Sequence, residues 1–262
     1  MKILFSSDLH GDKEAYIKFA QELIGYDCGV LAGDLLDEFI TKTEAEKYGL
    51  IDIDEPEELL GAEEDEFEKL NKKYHAALHD PSSINRRGLE NKKIEIVDIL
   101  NSVNKPIFYI TGNHDIADWQ DHKNLFNIEN KKIKFKDLSF IGFSPTNSKF
   151  SETQQDNILS KLIPLVDKNT ILVSHSPPFG ILDKTVRDEN IGSKALYKFI
   201  NKTNPMFCLF GHVHESFGIY KNFINGSWFL NNKFIVIDTK SKNIKLLNPI
   251  NNFIDKLKKE LI

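Results

Sequence analysis

Five short groups of polar residues carry carboxylate and imidazole side chains that could bind metal ions, and each group follows a short apolar run. The groups are Asp8-Leu9-His10-Gly11, Gly33-Asp34, Gly112-Asn113-His114-Asp115, His175, and Gly211-His212-Val213-His214. Carboxylate oxygens and imidazole nitrogens suit Zn, Mn, Fe and related divalent ions. Because no cysteine lies in these groups, a structural zinc site built from thiolates is not expected. The donor set is instead typical of a catalytic metal site.

The spacing inside two of the groups could direct both side chains toward one cluster. Asp8 and His10 are two residues apart, as are His212 and His214. On an extended segment, residues with this spacing point to the same side. If these segments are extended, each pair can converge on bound metal.

Apolar runs and their periodicity predict the elements that must position these groups. Helical spacing predicts helices near residues 16–23, 96–103, 152–163 and 192–203. Short apolar runs predict strands at Lys2 to Ser6, Cys28 to Ala32, Pro106 to Ile110, Phe135 with Leu138 to Phe143, Ile171 to Val173, Met206 to Phe210, Phe234 to Ile237, and Ile244 to Leu247. The alternation of strand and helix early in the chain, with adjacent strands near its end, favours a sheet-on-sheet core with helices outside.

Composition and charge narrow the class of protein. Hydrophobic residues make up 40% of the 262 residues, enough for a proper core, and the formal charge is −5. Residues 41–95 hold 15 acidic and 9 basic side chains. The helical periodicity of the segment at about 41–90 predicts an acidic helical insertion, which could form a lid or mediate a homodimer. No basic stripe is evident, so duplex nucleic acid is not an expected partner.

The chain lacks the sequence features of secreted or membrane proteins. Its N-terminus has no long apolar region, and no apolar stretch approaches the ~18 residues that suggest a membrane span. Cys28 and Cys208 both lie in apolar runs, which argues against a disulfide framework. We therefore expect a cytoplasmic protein with no membrane contact.

Taken in order over residues 8–214, the five groups closely resemble the signature of the calcineurin-like metallophosphoesterase superfamily: D-x-H, G-D, G-N-H-D or E, a lone H, and G-H-x-H. Each motif alone is weak evidence for the family. Five motifs in this order, each at the end of a predicted strand, are specific evidence. Residues 175–183 further resemble the small single-domain branch that includes cyclic-nucleotide phosphodiesterase-like and Icc-like enzymes. The resemblance implies one α/β (α+β) domain over residues 1–262, a four-layer αββα sandwich of two mixed β-sheets flanked by helices.

The resemblance also implies a role for each site residue. It assigns the first metal to Asp8, His10, Asp34 and His214, and the second metal to Asp34, Asn113, His175 and His212. Two divalent ions would activate water for direct attack on phosphorus by a metal-bound hydroxide. Mn is the preferred ion, and Fe, Zn, Ni or Co also suit these ligands. His114 would be the general acid, and Asp115 would orient and charge-stabilise its ring.

The implied activity is hydrolysis of a small phosphate ester, with phosphodiesters favoured over phosphomonoesters. An alternative enzyme is a nuclease of the Mre11 and SbcD group, which shares these motifs but carries a DNA-facing region after the core. A second alternative is a non-catalytic scaffold of the same fold, which would bind partners. Such scaffolds lose metal ligands or the catalytic histidine, whereas all the expected ligand positions and His114 are present here.

Overall fold

The computed structural model describes residues 1–37, 80, 83–117, 119–120, 122–146 and 149–249. Its helices are α1 (Lys13–Leu23), α2 (Ile84–Asn101), α3 (Glu152–Leu162) and α4 (Lys194–Thr203). Its strands are β1 (Lys2–Ser6), β2 (Cys28–Ala32), β3 (Ile107–Ile110), β4 (Leu125–Asn127), β5 (Lys132–Phe135), β6 (Leu138–Phe143), β7 (Thr170–Ser174), β8 (Phe207–Phe210), β9 (Gly218–Tyr220), β10 (Phe223–Asn225), β11 (Phe234–Asp238) and β12 (Asn243–Leu247).

The strands form two mixed sheets of six strands each. The first sheet has the order β12-β11-β1-β2-β3-β4, in which β1 to β4 run parallel and β11 runs antiparallel to β1. The second has the order β5-β6-β7-β8-β10-β9, in which β6, β7, β8 and β10 run parallel. Because parallel strands end at the same edge of a sheet, the loops after β1, β2 and β3 lie side by side, as do those after β7 and β8.

Apolar side chains fill three layers between and outside the sheets. The inner faces of the two sheets meet in a buried cluster that includes Phe5 and Val30 from one sheet and Phe140 and Leu209 from the other. A second cluster joins α1 and α2 to the first sheet, and a third joins α3 and α4 to the second. This arrangement is the predicted four-layer sandwich with helices outside both sheets.

The helix starts follow from side-chain caps that the sequence supplies. The Asp12 carboxylate accepts from the backbone N–H groups of Glu14 and Ala15, at 2.9 and 3.1 Å, at the start of α1. Ser151 and Gln154 form a reciprocal capping box at the start of α3. Ser193 caps α4, because its hydroxyl accepts from the Leu196 N–H at 3.0 Å. Such caps satisfy N–H groups that have no partner within the helix.

Several boundaries differ from the sequence-based expectation. The helix expected at 192–203 begins at Lys194, and the helix expected at 152–163 ends at Leu162. Strands β4, β9 and β10 have three residues each, too few for periodicity to reveal. Most of the predicted insertion lies outside the described residues, but its last part, from Ile84, belongs to α2. Among the described residues, no helix is long and apolar enough to span a membrane.

Candidate metal centre

Four metal-ligand candidates in the loops after β1, β2 and β8 have a left-handed backbone conformation. Asp8 and Asp34 have φ values of 55° and 48°, His10 has 44° and His212 has 68°. The expectation of extended segments is therefore wrong for both D-x-H and H-x-H. Left-handed conformations are uncommon for residues other than glycine and tend to concentrate at functional sites.

Six of the expected ligands form two adjacent groups of three. Asp8, His10 and His214 form the first group, and Asp34, His175 and His212 form the second. Within each group, one donor atom from every residue lies within 4.8 Å of the others. The same two-residue spacing therefore has two outcomes. Asp8 and His10 belong to one group, whereas His212 and His214 belong to different groups.

Short distances connect the donor atoms within and between the groups. In the first group, His214 Nε2 lies 3.4 Å from Asp8 Oδ1 and 3.4 Å from His10 Nε2. In the second, His175 Nε2 lies 3.3 Å from Asp34 Oδ2. The same Asp34 oxygen lies 3.8 Å from His10 Nε2. The Asp34 carboxylate therefore lies between the two groups.

The third motif contributes Asn113 and His114 beside these groups. Asn113 Oδ1 lies 3.0 Å from His175 Nε2, which places the amide at the second group. His114 Nε2 lies 4.0 Å from Asp34 Oδ2. The His114 side chain is 38% exposed, whereas that of Asp34 is 2% exposed. His114 consequently faces the open side of the site.

Asp115 binds the backbone of the loops that carry the ligands. Its carboxylate accepts hydrogen bonds from the N–H groups of Leu35 at 3.0 Å, Leu36 at 2.9 Å and Gly112 at 2.8 Å. These bonds fix the loops after β2 and β3 relative to each other. The expected role of Asp115 in orienting the His114 ring stays a prediction.

In two of the histidines, a contact of Nδ1 fixes the orientation of the ring and so the direction of Nε2. His175 Nδ1 lies 2.8 Å from the Ala32 carbonyl oxygen, so this nitrogen donates and Nε2 faces Asp34. His10 Nδ1 lies 3.1 Å from the carboxylate of Asp37. Metal-binding histidines are usually oriented by such a carbonyl or carboxylate partner. Together with two buried carboxylates, this donor set fits divalent metal ions.

Two glycines let the loops approach the buried carboxylates. A Cβ atom at Gly112 would overlap the Asp34 carboxylate, and one at Gly211 would overlap that of Asp8. Only glycine leaves room for the carboxylates at these two positions. The Asp8 carboxylate uses this space to accept the His212 backbone N–H at 3.0 Å.

The buried carboxylates of the two groups are held in their charged form. Burial raises the pKa of Asp8, but the hydrogen bond with His214 and the charge of His175 outweigh it, so the pKa lies below its ordinary value. For Asp34, burial is likewise outweighed by the charge and hydrogen bond of His175, and the pKa is lowered. Asp115 differs, because burial and the Asp34 charge raise its pKa to about 6.

The histidines have opposite pKa shifts. Burial alone would lower the pKa of His175, but the Asp34 charge and hydrogen bond raise it to about 9. Burial lowers the pKa of His212 to about 4, assisted by the charge of His175. For His10, burial would lower the pKa, but the hydrogen bond to Asp37 and the charges of the nearby aspartates together outweigh it and raise the pKa. His212 is thus neutral at pH 7, the form in which a histidine binds metal.

Within the part of the chain that the structure describes, four further residues border the site that the sequence motifs did not indicate. Asp37 orients His10, as described above, and the Lys149 ammonium donates to the Asn113 carbonyl oxygen at 2.5 Å. The buried Asn225 amide donates to the Val213 carbonyl oxygen at 2.9 Å and so supports the loop between the two last histidines. Phe229 packs on His10. Of these four, Asn225 has a local sequence signal, because it opens the turn-forming sequence Asn225-Gly226-Ser227.

The two-sheet sandwich carries two adjacent groups of carboxylate and imidazole donors. The chain belongs to the calcineurin-like phosphoesterase family, whose sequence model matches residues 1–216.

Solved structures share the fold at low sequence identity. TT1561 of Thermus thermophilus is 14% identical, with a TM-score of 0.58, and the match covers 95% of this chain and 99% of that one. Another crystal structure is 16% identical with a TM-score of 0.63 and the same coverage. A UPF0046 protein of Caenorhabditis elegans is 28% identical over 111 residues, 40% of this chain and 38% of that protein. The chain therefore spans well under half the length of this curated relative.

Proposed function

We propose that the protein is a phosphoesterase with two divalent metal ions that hydrolyses a small organic phosphate ester. One observation carries this proposal: two groups of three donor atoms lie side by side, with the half-exposed His114 at their open edge. The resemblance of residues 175–183 to phosphodiesterase-like enzymes favours a diester over a monoester.

The ligand assignment follows the two groups. Asp8, His10 and His214 would hold one ion, and Asp34, His175 and His212 would hold the other. Asp34 lies between the groups and can serve both, and Asn113 would join the second. Two divalent ions bound here would supply Lewis acidity, lowering the pKa of water and offsetting phosphate charge. Mn is the favoured ion, because mixed nitrogen and oxygen ligands without thiolate suit it.

His114 would protonate the leaving oxygen. Hydrolysis breaks one phosphorus–oxygen ester bond and adds water, so the departing oxygen needs a proton. The His114 ring faces the open side of the site, and an imidazole pKa near neutrality suits proton transfer at pH 7. Asp115 assists by fixing the backbone on both sides of the site, since it bonds to Leu35, Leu36 and Gly112.

The test is hydrolysis of bis(p-nitrophenyl) phosphate and p-nitrophenyl phosphate by metal-stripped protein with and without added Mn. We expect turnover that depends on Mn and is faster with the diester. Asp34→Asn should abolish turnover by weakening both ion sites. His114→Ala should reduce kcat by about 10²–10⁴-fold while bound Mn stays unchanged, because loss of a general acid has this magnitude.

The matched controls are Asp156→Asn and His122→Ala, two exposed residues that belong to neither group of donors. Each should retain wild-type turnover. Folded wild-type protein that binds Mn but hydrolyses neither ester nor other phosphate esters would contradict the proposal and favour the scaffold alternative.

A further inference from the structure

The turn at residues 227–232 follows β10 and is anchored at the rim of the metal centre. The Trp228 side chain is 3% exposed and stacks on Phe234 with ring centroids 4.5 Å apart. Its backbone N–H donates to the Ser7 carbonyl oxygen at 2.8 Å. Asn231 donates through its side chain to the His214 carbonyl oxygen at 3.2 Å. The residues between these two anchors are therefore held in a fixed position.

Phe229 lies between the anchors and packs on two ligand candidates. Its ring centroid is 5.2 Å from that of His10 and 5.0 Å from that of His214. Phe229 is nevertheless 54% exposed, and its neighbour Leu230 is 60% exposed. Single exposed apolar residues are common on protein surfaces. An aromatic ring fixed against two imidazoles of a metal centre, with half its surface open, instead offers a contact to a bound molecule.

We infer that Phe229 is a substrate-binding residue that packs against a flat, unsaturated ester group, such as an aryl ring or a nucleobase. The inference rests on the phosphoesterase function proposed above. A phosphate bound beside His10 and His214 needs polar and cationic partners, which the apolar Phe229 ring does not provide. The organic group attached to that phosphate is the part of the substrate that the ring can contact. Aromatic rings stack favourably on one another beyond the simple burial of area.

The experiment measures binding of two inert analogues to the Mn-loaded protein by calorimetry. Phenylphosphonate and methylphosphonate both carry a phosphonate group, whose carbon–phosphorus bond is not an ester bond and is not hydrolysed. They differ in the organic group, which is a phenyl ring in one and a methyl group in the other. We expect Phe229→Ala to weaken binding of phenylphosphonate by about 2- to 12-fold, the value of one aromatic pair. Binding of methylphosphonate should stay unchanged. Phe229→Tyr keeps the ring and should keep the wild-type affinity for both.

Leu246→Ala is the matched control, since Leu246 is 49% exposed on the edge strand β12. It should leave both affinities unchanged. The inference would be overturned if Phe229→Ala bound phenylphosphonate with unchanged affinity, or if it lost affinity for both analogues equally. In either case, methylphosphonate binding and ester hydrolysis by the wild type would leave the phosphoesterase proposal standing. Absence of both in the wild type would overturn the phosphoesterase proposal itself.

Discussion

The Nδ1 atom of His175 lies 2.8 Å from the carbonyl oxygen of Ala32, the last residue of β2. This bond crosses from the second sheet to the first, because His175 follows β7. It leaves the Nε2 atom of His175 facing the Asp34 carboxylate at 3.3 Å. A backbone acceptor on one sheet thus orients a candidate metal ligand of the other.

Replacing a single histidine in one group should remove the metal site of that group and leave the other site intact. We expect His175→Ala and His214→Ala each to retain about one Mn per chain where the wild type holds two, because the altered group loses one of its three donors while the other group stays intact. Metal analysis after gel filtration measures this ratio. His122→Ala should retain both ions. Loss of both ions in either single variant would contradict the assignment of separate groups.

Removing the partner of His10 should weaken metal binding without removing a ligand. Asp37→Ala should lower the affinity of the first site by about 10- to 100-fold, the effect typical of losing an outer-shell partner. Titration with Mn, read by calorimetry, gives this affinity. Asp37→Asn keeps an oxygen acceptor for His10 Nδ1 and should lose less. Equal affinities for all three proteins would mean that Asp37 does not orient the ring.

Adding one methyl group at Gly211 should disturb the site and the fold together. Gly211→Ala brings a Cβ atom into the Asp8 carboxylate and the Ser7 side chain. We expect the free energy of unfolding to fall by about 1–3 kcal/mol, the usual cost of overpacking, and bound metal to decrease. Denaturant unfolding measures the first quantity. Gly25→Ala is the control, since its nearest neighbour would lie 3.6 Å away, and it should unfold as the wild type does.

The two cysteines should be unreactive in the folded protein. Cys28 is 0% exposed and Cys208 is 1% exposed. Burial raises the pKa of both thiols well above the ordinary value. At pH 8 both therefore stay in the unreactive thiol form. Labelling with a disulfide reagent should detect no thiol in native protein and both after denaturation; rapid labelling without denaturant would contradict the packing of β2 or β8.

Much of the fold could be predicted because its central strands are buried apolar runs. β1, β2, β7 and β8 are covered on both faces, so their sequences are nearly continuous in hydrophobic residues. Strand β10 could not be predicted, since three residues give no periodicity. Sequence order indicated that polar motifs end these strands, and parallel pairing then brings the motifs to common edges.

The sequence predicted the residues that the fold brings together at the site, but not the backbone conformation of the site or the residues that border it. The residue types of Asp8, His10 and His214 pointed to metal, whereas the left-handed conformation of Asp8 depends on the contacts of the folded loop. Phe229 and Asp37 have no local signal, because their relevance comes from contact with His10. Both contacts join segments that are far apart in the chain, so no short sequence pattern indicates them.

The long sequence separation within the metal centre bears on how the protein is made. The Asp8 carboxylate and the His212 backbone N–H that it accepts are 204 residues apart. A nascent chain that ends before His212 carries Asp8, His10 and Asp34 with no imidazole from the last motif. Neither metal group can be completed until that motif has emerged from the ribosome. On the proposed function, metal loading is consequently a late event in biosynthesis, following translation of most of both sheets.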